Sequence, residues 1–132
     1  VGTITSPLGT ISIGYSSPNI TIDTIATGFT WSDISGSFSA NVRNGYFITT
    51  TANATLPATA AEGDNIKFIV DTTNNLTITA NTGQRIRIGT TLSASAGTAV
   101  NTQRGDAVSL VFRASGSTWF AESDPVGGWN IT

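Results

Sequence analysis

From residue 10 onward the sequence repeatedly alternates one β-branched or aromatic residue with one Thr or Ser, as in Thr10-Ile11-Ser12-Ile13 and Leu76-Thr77-Ile78-Thr79. A two-residue period gathers the apolar side chains of a segment on one face of an extended strand, whereas on a helix it would scatter them around the circumference. No window carries a convincing i, i+3, i+4, i+7 stripe, so the chain is expected to be all-β.

Two short strands, at residues 10–15 and 19–25, flank the turn-forming Ser16-Ser17-Pro18. Strands this short need neighbours from elsewhere in the chain or from other chains to bury enough area. Aromatic residues become frequent from Gly28, with Phe29, Trp31, Phe38, Tyr46 and Phe47, and a core is expected to begin there. Trp31, Trp119, Phe120, Tyr46 and Phe47 are expected in that core, because each stands in a strand-like run. Asn44-Gly45 predicts a turn with positive φ ahead of Tyr46-Phe47-Ile48-Thr49. Residues 65–70 and 76–79, joined by the tip Asp71-Thr72-Thr73-Asn74-Asn75, read as a hairpin. Further strands are expected at 85–89, 107–112, 118–121 and 129–132, with Gly-containing turns between the last three. Strands spaced by about ten residues imply a sandwich or a barrel.

The chain has 132 residues and no His, Cys or Met. That removes imidazole acid–base chemistry, thiol nucleophiles, Cys/His metal sites and disulfides together. Charged residues make up 11% of the sequence, against roughly 25% in an average soluble domain, so its polarity is mostly that of hydroxyl and amide groups. With six basic residues and a formal charge of −2 it lacks the dense Lys/Arg surface that nucleic-acid phosphates require. No run approaches the roughly 18 apolar residues of a membrane helix, and the N-terminus lacks a signal-peptide pattern, so no nucleic acid and no membrane insertion are expected. Val1 as first residue suggests a piece of a longer protein. So few charges also suggest that part of the surface is shared with identical chains.

Without His and Cys, catalysis would rest on carboxylate pairs, a Ser/Lys arrangement or a carboxylate-bound metal. Glu62/Asp64 and Glu122/Asp124 lie beside Gly or Pro, where acids commonly accept turn amides, and we read them as structural. Lys67 reads as a solvated strand residue. Aromatic side chains offer stacking faces to the C–H faces of sugars, with loop amides and carboxylates taking the hydroxyls. Trp129, following Gly127-Gly128, is the aromatic residue least committed to packing. Arg85 and Arg87 share one strand face and suit either an anionic sugar or acids across a subunit boundary. Matches to the N-glycosylation pattern, among them those at Asn19, Asn53 and Asn75, arise easily by chance in so Thr-rich a chain.

An ordered series of motifs runs through the remainder of the chain. It comprises Trp31, Asn44-Gly45-Tyr46-Phe47, Leu56-Pro57-Ala58-Thr59, Glu62-Gly63-Asp64-Asn65-Ile66, Leu76-Thr77-Ile78-Thr79-Ala80, Gly83-Gln84-Arg85-Ile86, Ile88-Gly89 and Ser117-Thr118-Trp119. Over residues 29–132 this series resembles the C-terminal module of tail fibres and related fibrous proteins of tailed bacteriophages. The resemblance implies an all-β fold: a β-sandwich (jelly-roll-like) head at 29–132, preceded by short stem strands at 1–28, assembled as an intertwined homotrimer. It implies a virion, extracellular location and a non-enzymatic role, attaching the particle to host bacterial cell-surface polysaccharide or another receptor.

The resemblance transfers no site residues. The expected receptor contacts come from the residues themselves: the loop residues Asp71, Asn74 and Asn75, the Arg85/Arg87 face, and Trp129. No catalytic residue, cofactor or metal is expected. The rivals are a tailspike-like polysaccharide depolymerase and a purely structural trimerisation or decoration module.

Overall fold

The computed structural model describes residues 4–6, 9–11 and 28–132. Of the expected stem, residues 12–15, the turn Ser16-Ser17-Pro18, the strand at 19–25 and the match at Asn19 lie outside the described residues. Among residues 1–28, β1 (Ile4–Ser6) and β2 (Gly9–Ile11) pair antiparallel, Ile4 opposite Ile11.

The described part of residues 29–132 is all strand and loop, in two mixed sheets that face one another as a β-sandwich. Six strands come first: β3 (Thr30–Ile34), β4 (Phe38–Ser39), β5 (Asn44–Ile48), β6 (Ala52–Thr55), β7 (Asn65–Val70) and β8 (Leu76–Thr79). The chain alternates between the sheets at each of them. In one sheet β3, β5 and β7 run parallel side by side, and in the other β4, β6 and β8 do the same. Each pair β3/β4, β5/β6 and β7/β8 is thus one rung, and three rungs stack.

The remaining strands are β9 (Arg85–Ile88), β10 (Thr91–Leu92), β11 (Thr98–Asn101), β12 (Ala107–Arg113), β13 (Thr118–Ala121) and β14 (Trp129–Ile131). They close the stack, mostly antiparallel. The larger sheet has the order β10-β9-β13-β12-β7-β5-β3, and the smaller β14-β11-β8-β6-β4.

Alternation decides what faces inward. On β7, Ile66, Phe68 and Val70 are buried while Asn65, Lys67 and Ile69 turn out. Phe68, Ile48, Leu110, Ile86 and Trp119 of the larger sheet meet Ala52, Ala54, Leu76, Ile78 and Ala99 of the smaller one. The alanines of the smaller sheet leave room for the large rings and branched chains opposite them, and Leu76 and Ile78 fill the rest of the interface. Buried polar groups are mostly engaged. Gln84 accepts from the Trp119 indole nitrogen at 3.0 Å and donates to the Pro57 carbonyl at 2.9 Å, which ties the loop at 57–58 to the core.

Three expectations change. Residues 65–70 and 76–79 are strands with the expected bounds, but they belong to different sheets, so 71–75 is an inter-sheet corner rather than a hairpin tip. The parallel rungs also depart from the antiparallel pairing that a jelly roll would have. Finally, Asn44-Gly45 lies inside β5 and the positive φ falls on Arg43, at 59°. Gly45 serves packing instead: a Cβ there would run into the Trp31 indole.

Candidate functional site

The outward face of the larger sheet carries groups that the fold itself does not use. Cross-strand register sets them in rows. One row holds Trp31, Gly45, Lys67, Ser109 and Glu122; the next, on one side, holds Asp33, Phe47, Ile69 and Ala107. On the other side Asn65, Val111, Phe120 and Arg87 line up.

Trp31, Phe47 and Phe120 thus lie on this outer face, contrary to the expectation that they are core, while Tyr46 and Trp119 are buried as expected. The reason is parity: on β3, Trp31 shares its side with Asp33, and Ile34 takes the inward position. Trp31 lies over Gly45 because no side chain stands between indole and backbone. Its flank rests on Phe47, ring centroids 4.9 Å apart, and 41% of the residue stays exposed. A large apolar ring is thereby held on one side and open on the other.

A groove of about 210 Å³ opens beside it, lined in part by Lys67, Ile69, Ser109, Asp124 and Val126. The Lys67 ammonium sits 4.5 Å from the centroid of the Phe29 ring, a cation–π contact that holds the charge at the groove wall. Beyond it, Glu122 accepts from the Ser109 hydroxyl at 2.8 Å and from the Asn65 amide at 3.0 Å. The Ser109 bond, then the Asn65 bond, hold the Glu122 carboxyl below its ordinary value against a small opposing effect of burial, and the Lys67 charge adds to the lowering. Glu122 is therefore a fixed anion at neutral pH, an acceptor for hydroxyl groups. Apolar ring, ammonium, the Asp124 carboxylate and a hydroxyl in one open groove, with Glu122 next to it, can hold a polyhydroxylated ligand by stacking and hydrogen bonds.

The residues expected to meet a receptor occupy three places. Asp71, Asn74 and Asn75 share the exposed β7–β8 corner, where Asp71 pairs with Arg104 at 2.8 Å. Arg85 and Arg87 stand on the outward face of β9, with Ile86 between them buried. Trp129 lies in the smaller sheet, half-buried against the core. Only Arg85 and Arg87 share the face of Trp31. Trp31, Lys67, Ser109 and Asp124 were not singled out from the sequence as receptor contacts. The alternation Trp31-Ser32-Asp33 held a signal for the first, since a residue on the same side as an unpaired Asp is on the wet side.

The other acids mostly serve the fold. Glu62 accepts from the Ala114 amide at 2.6 Å, Asp64 from the Ala61 amide at 2.8 Å, and the buried Asp106 from the Thr102 and Gln103 amides at 2.8 and 3.0 Å. Among the described residues no three acidic side chains gather as metal ligands would. No protein-family model matches the chain, and no curated protein matches it.

Proposed function

We propose that the protein is a non-enzymatic attachment module, the trimeric distal tip of a phage tail fibre, which holds the virion to polysaccharide or another receptor on the host bacterial surface. The observation that carries the binding part of this reading is the half-open indole of Trp31 above Gly45, beside a groove of polar groups. Stacking of a sugar ring on such a platform gains its energy from apolar C–H surface, and the surrounding acceptors and donors orient the hydroxyls. The resemblance of residues 29–132 to tail-fibre heads supplies the biological setting. A trimer carrying three such faces would turn weak single contacts into firm adsorption.

The depolymerase reading asks for two free carboxyls across a cleft, one of them able to hold a proton near neutral pH. Glu62, Asp64, Asp71 and Asp106 accept bonds from their own chain, Glu122 is shifted the opposite way, and of the remaining described acids, Asp33 and Asp124, only Asp124 lines the groove. Attachment is the reading these facts favour.

An array of bacterial capsule and O-antigen polysaccharides tests it. The protein is expected to bind at least one of them, and Trp31→Ala to weaken that binding by about tenfold or more, equivalent to about 1.4 kcal/mol. Alanine at Asp71, Asn74, Asn75 and Trp129 reports on the other two surfaces in the same assay. Release of oligosaccharides from a bound polymer would establish the depolymerase instead; binding to none of the array would leave the structural trimerisation module.

A further inference from the structure

The arginines of the larger sheet cluster more closely than the sequence suggests. Arg85 and Arg87 are two residues apart on β9, and Arg113 joins them from β12. Thr118 pairs with Arg85 on one side and with Arg113 on the other. Two strand spacings separate those arginines, about 10 Å between backbones. Phe120 likewise stands between Arg87 and Val111. By register the three arginines thus flank Thr118 and Phe120 on the outward face.

Among the described residues the ion pair present is Arg104–Asp71, and Arg85, Arg87 and Arg113 have no carboxylate partner. An open groove of about 320 Å³ runs beside Arg113, lined by Glu62, Gly63, Val111, Phe112, Arg113 and Phe120. Its single acid, Glu62, is turned to the Ala114 amide.

Three like charges held together cost free energy through mutual repulsion, and a bound anion relieves it. Guanidinium is suited to that task because its planar fork grips a carboxylate, sulfate or phosphate through two parallel bonds. Phe120 adds apolar surface for the ring that carries the acid. The alternative occupant is a set of carboxylates from a neighbouring copy. Of the described acids, Asp33 and Asp124 alone accept no bond from another described residue, which is too few to match three arginines.

We propose that Arg85, Arg87 and Arg113 form an anion-binding subsite, and that the polysaccharide this face recognises carries acidic groups. This rests on the attachment reading and narrows it. The subsite and the Trp31 platform lie three to five strand spacings apart, about 14 to 24 Å across one continuous face, so a single chain of several sugars would touch both.

Affinity electrophoresis through gels containing dextran or carboxymethyl-dextran tests the proposal, since the two polymers share a backbone and differ in charge. The wild-type protein is expected to be retarded at least tenfold more strongly by the carboxymethylated polymer. R85Q/R113Q, which replaces the two exposed arginines of the cluster, should lose most of that difference. R43Q/R104Q removes the same number of charges elsewhere and should keep it.

Equal retardation by both polymers, or equal losses in the two double variants, would overturn the proposal. So would a change in solution mass in R85Q/R113Q, because that would place the arginines at a subunit boundary. Charge-independent retention that Trp31→Ala abolishes would overturn the acidic ligand and keep the attachment reading. Retention by neither polymer, together with an empty polysaccharide array, would overturn both.

Discussion

The contact between Trp31 and Gly45 shows how one missing Cβ fixes a surface. An alanine at 45 would meet the indole and little else, so the ring is free to swing away and the backbone of β5 is not. Gly45→Ala is therefore expected to cost about 1 kcal/mol of stability or less, yet to weaken polysaccharide binding as far as Trp31→Ala does. A red shift in tryptophan emission alongside a melting temperature lowered by no more than a few degrees would report this, and unchanged binding would count against the platform. The sequence pattern Asn44-Gly45 suggests a turn because Gly tolerates positive φ, and composition does not separate that use from making room for a neighbour on another strand. Glu122 makes a second prediction. Its carboxyl is lowered in the folded protein, so its contribution to stability is present above the unfolded value near pH 4.3 and is lost as pH falls through the lower folded value. Wild type should exceed Glu122→Gln in stability by a constant margin above about pH 5, and urea denaturation at pH 3 should find the margin closing. A margin independent of pH would mean the carboxylate charge plays no part.

At the scale of strands, alternation locates most elements and leaves their partners open. Residues 65–70, 76–79 and 118–121 are strands with the bounds expected from the two-residue period, because each buries one side against a core that requires apolar groups there. Residues 98–101 form β11 without an apolar run to announce it, held by pairing with β8 and β14 on either side. Whether 71–75 turns back within one sheet or crosses to the other depends on where β5, β6 and β12 lie, which no local pattern encodes. The corner is fixed from outside: the Asp71 amide donates to the Ile48 carbonyl, and the Gly105 amide to the Val70 carbonyl. This arrangement sets an order of local stability. β7 lies between β5 and β12, and β8 between β6 and β11, whereas β3 and β4 end their sheets at the first rung and β10 ends the larger one at the other side. Amide exchange is expected to be slowest in β7, β8 and β12 and at least a hundredfold faster in β3, β4 and β10. Uniform protection across the larger sheet would mean that its outer strands are covered by something else, such as neighbouring copies.

Those outer strands bring the whole molecule into view. β3 and β4 belong to the same rung, so both sheets end together at that rung, and no later strand of the described chain covers them. Exposed sheet edges invite further strands, and proteins usually block them with charge, Pro or a covering element. Here β3 carries one acid, Asp33, and β4 none. Trp31 and Val126 add apolar surface nearby, at 41% and 62% exposure. With charged residues at only 11%, an isolated copy would have little to keep such surfaces apart at high concentration. The proposed trimer answers this, because three copies arranged head to tail around an axis close on themselves and leave no free partner surface. Sedimentation equilibrium should then give a mass about three times 13.6 kDa, and the melting temperature should rise with protein concentration, since dissociation accompanies unfolding. A single species of 13.6 kDa that withstands dilution and heating alike would mean that one chain suffices to shield its own edges, and the fibre reading would lose its physical basis along with the avidity argument that depends on it.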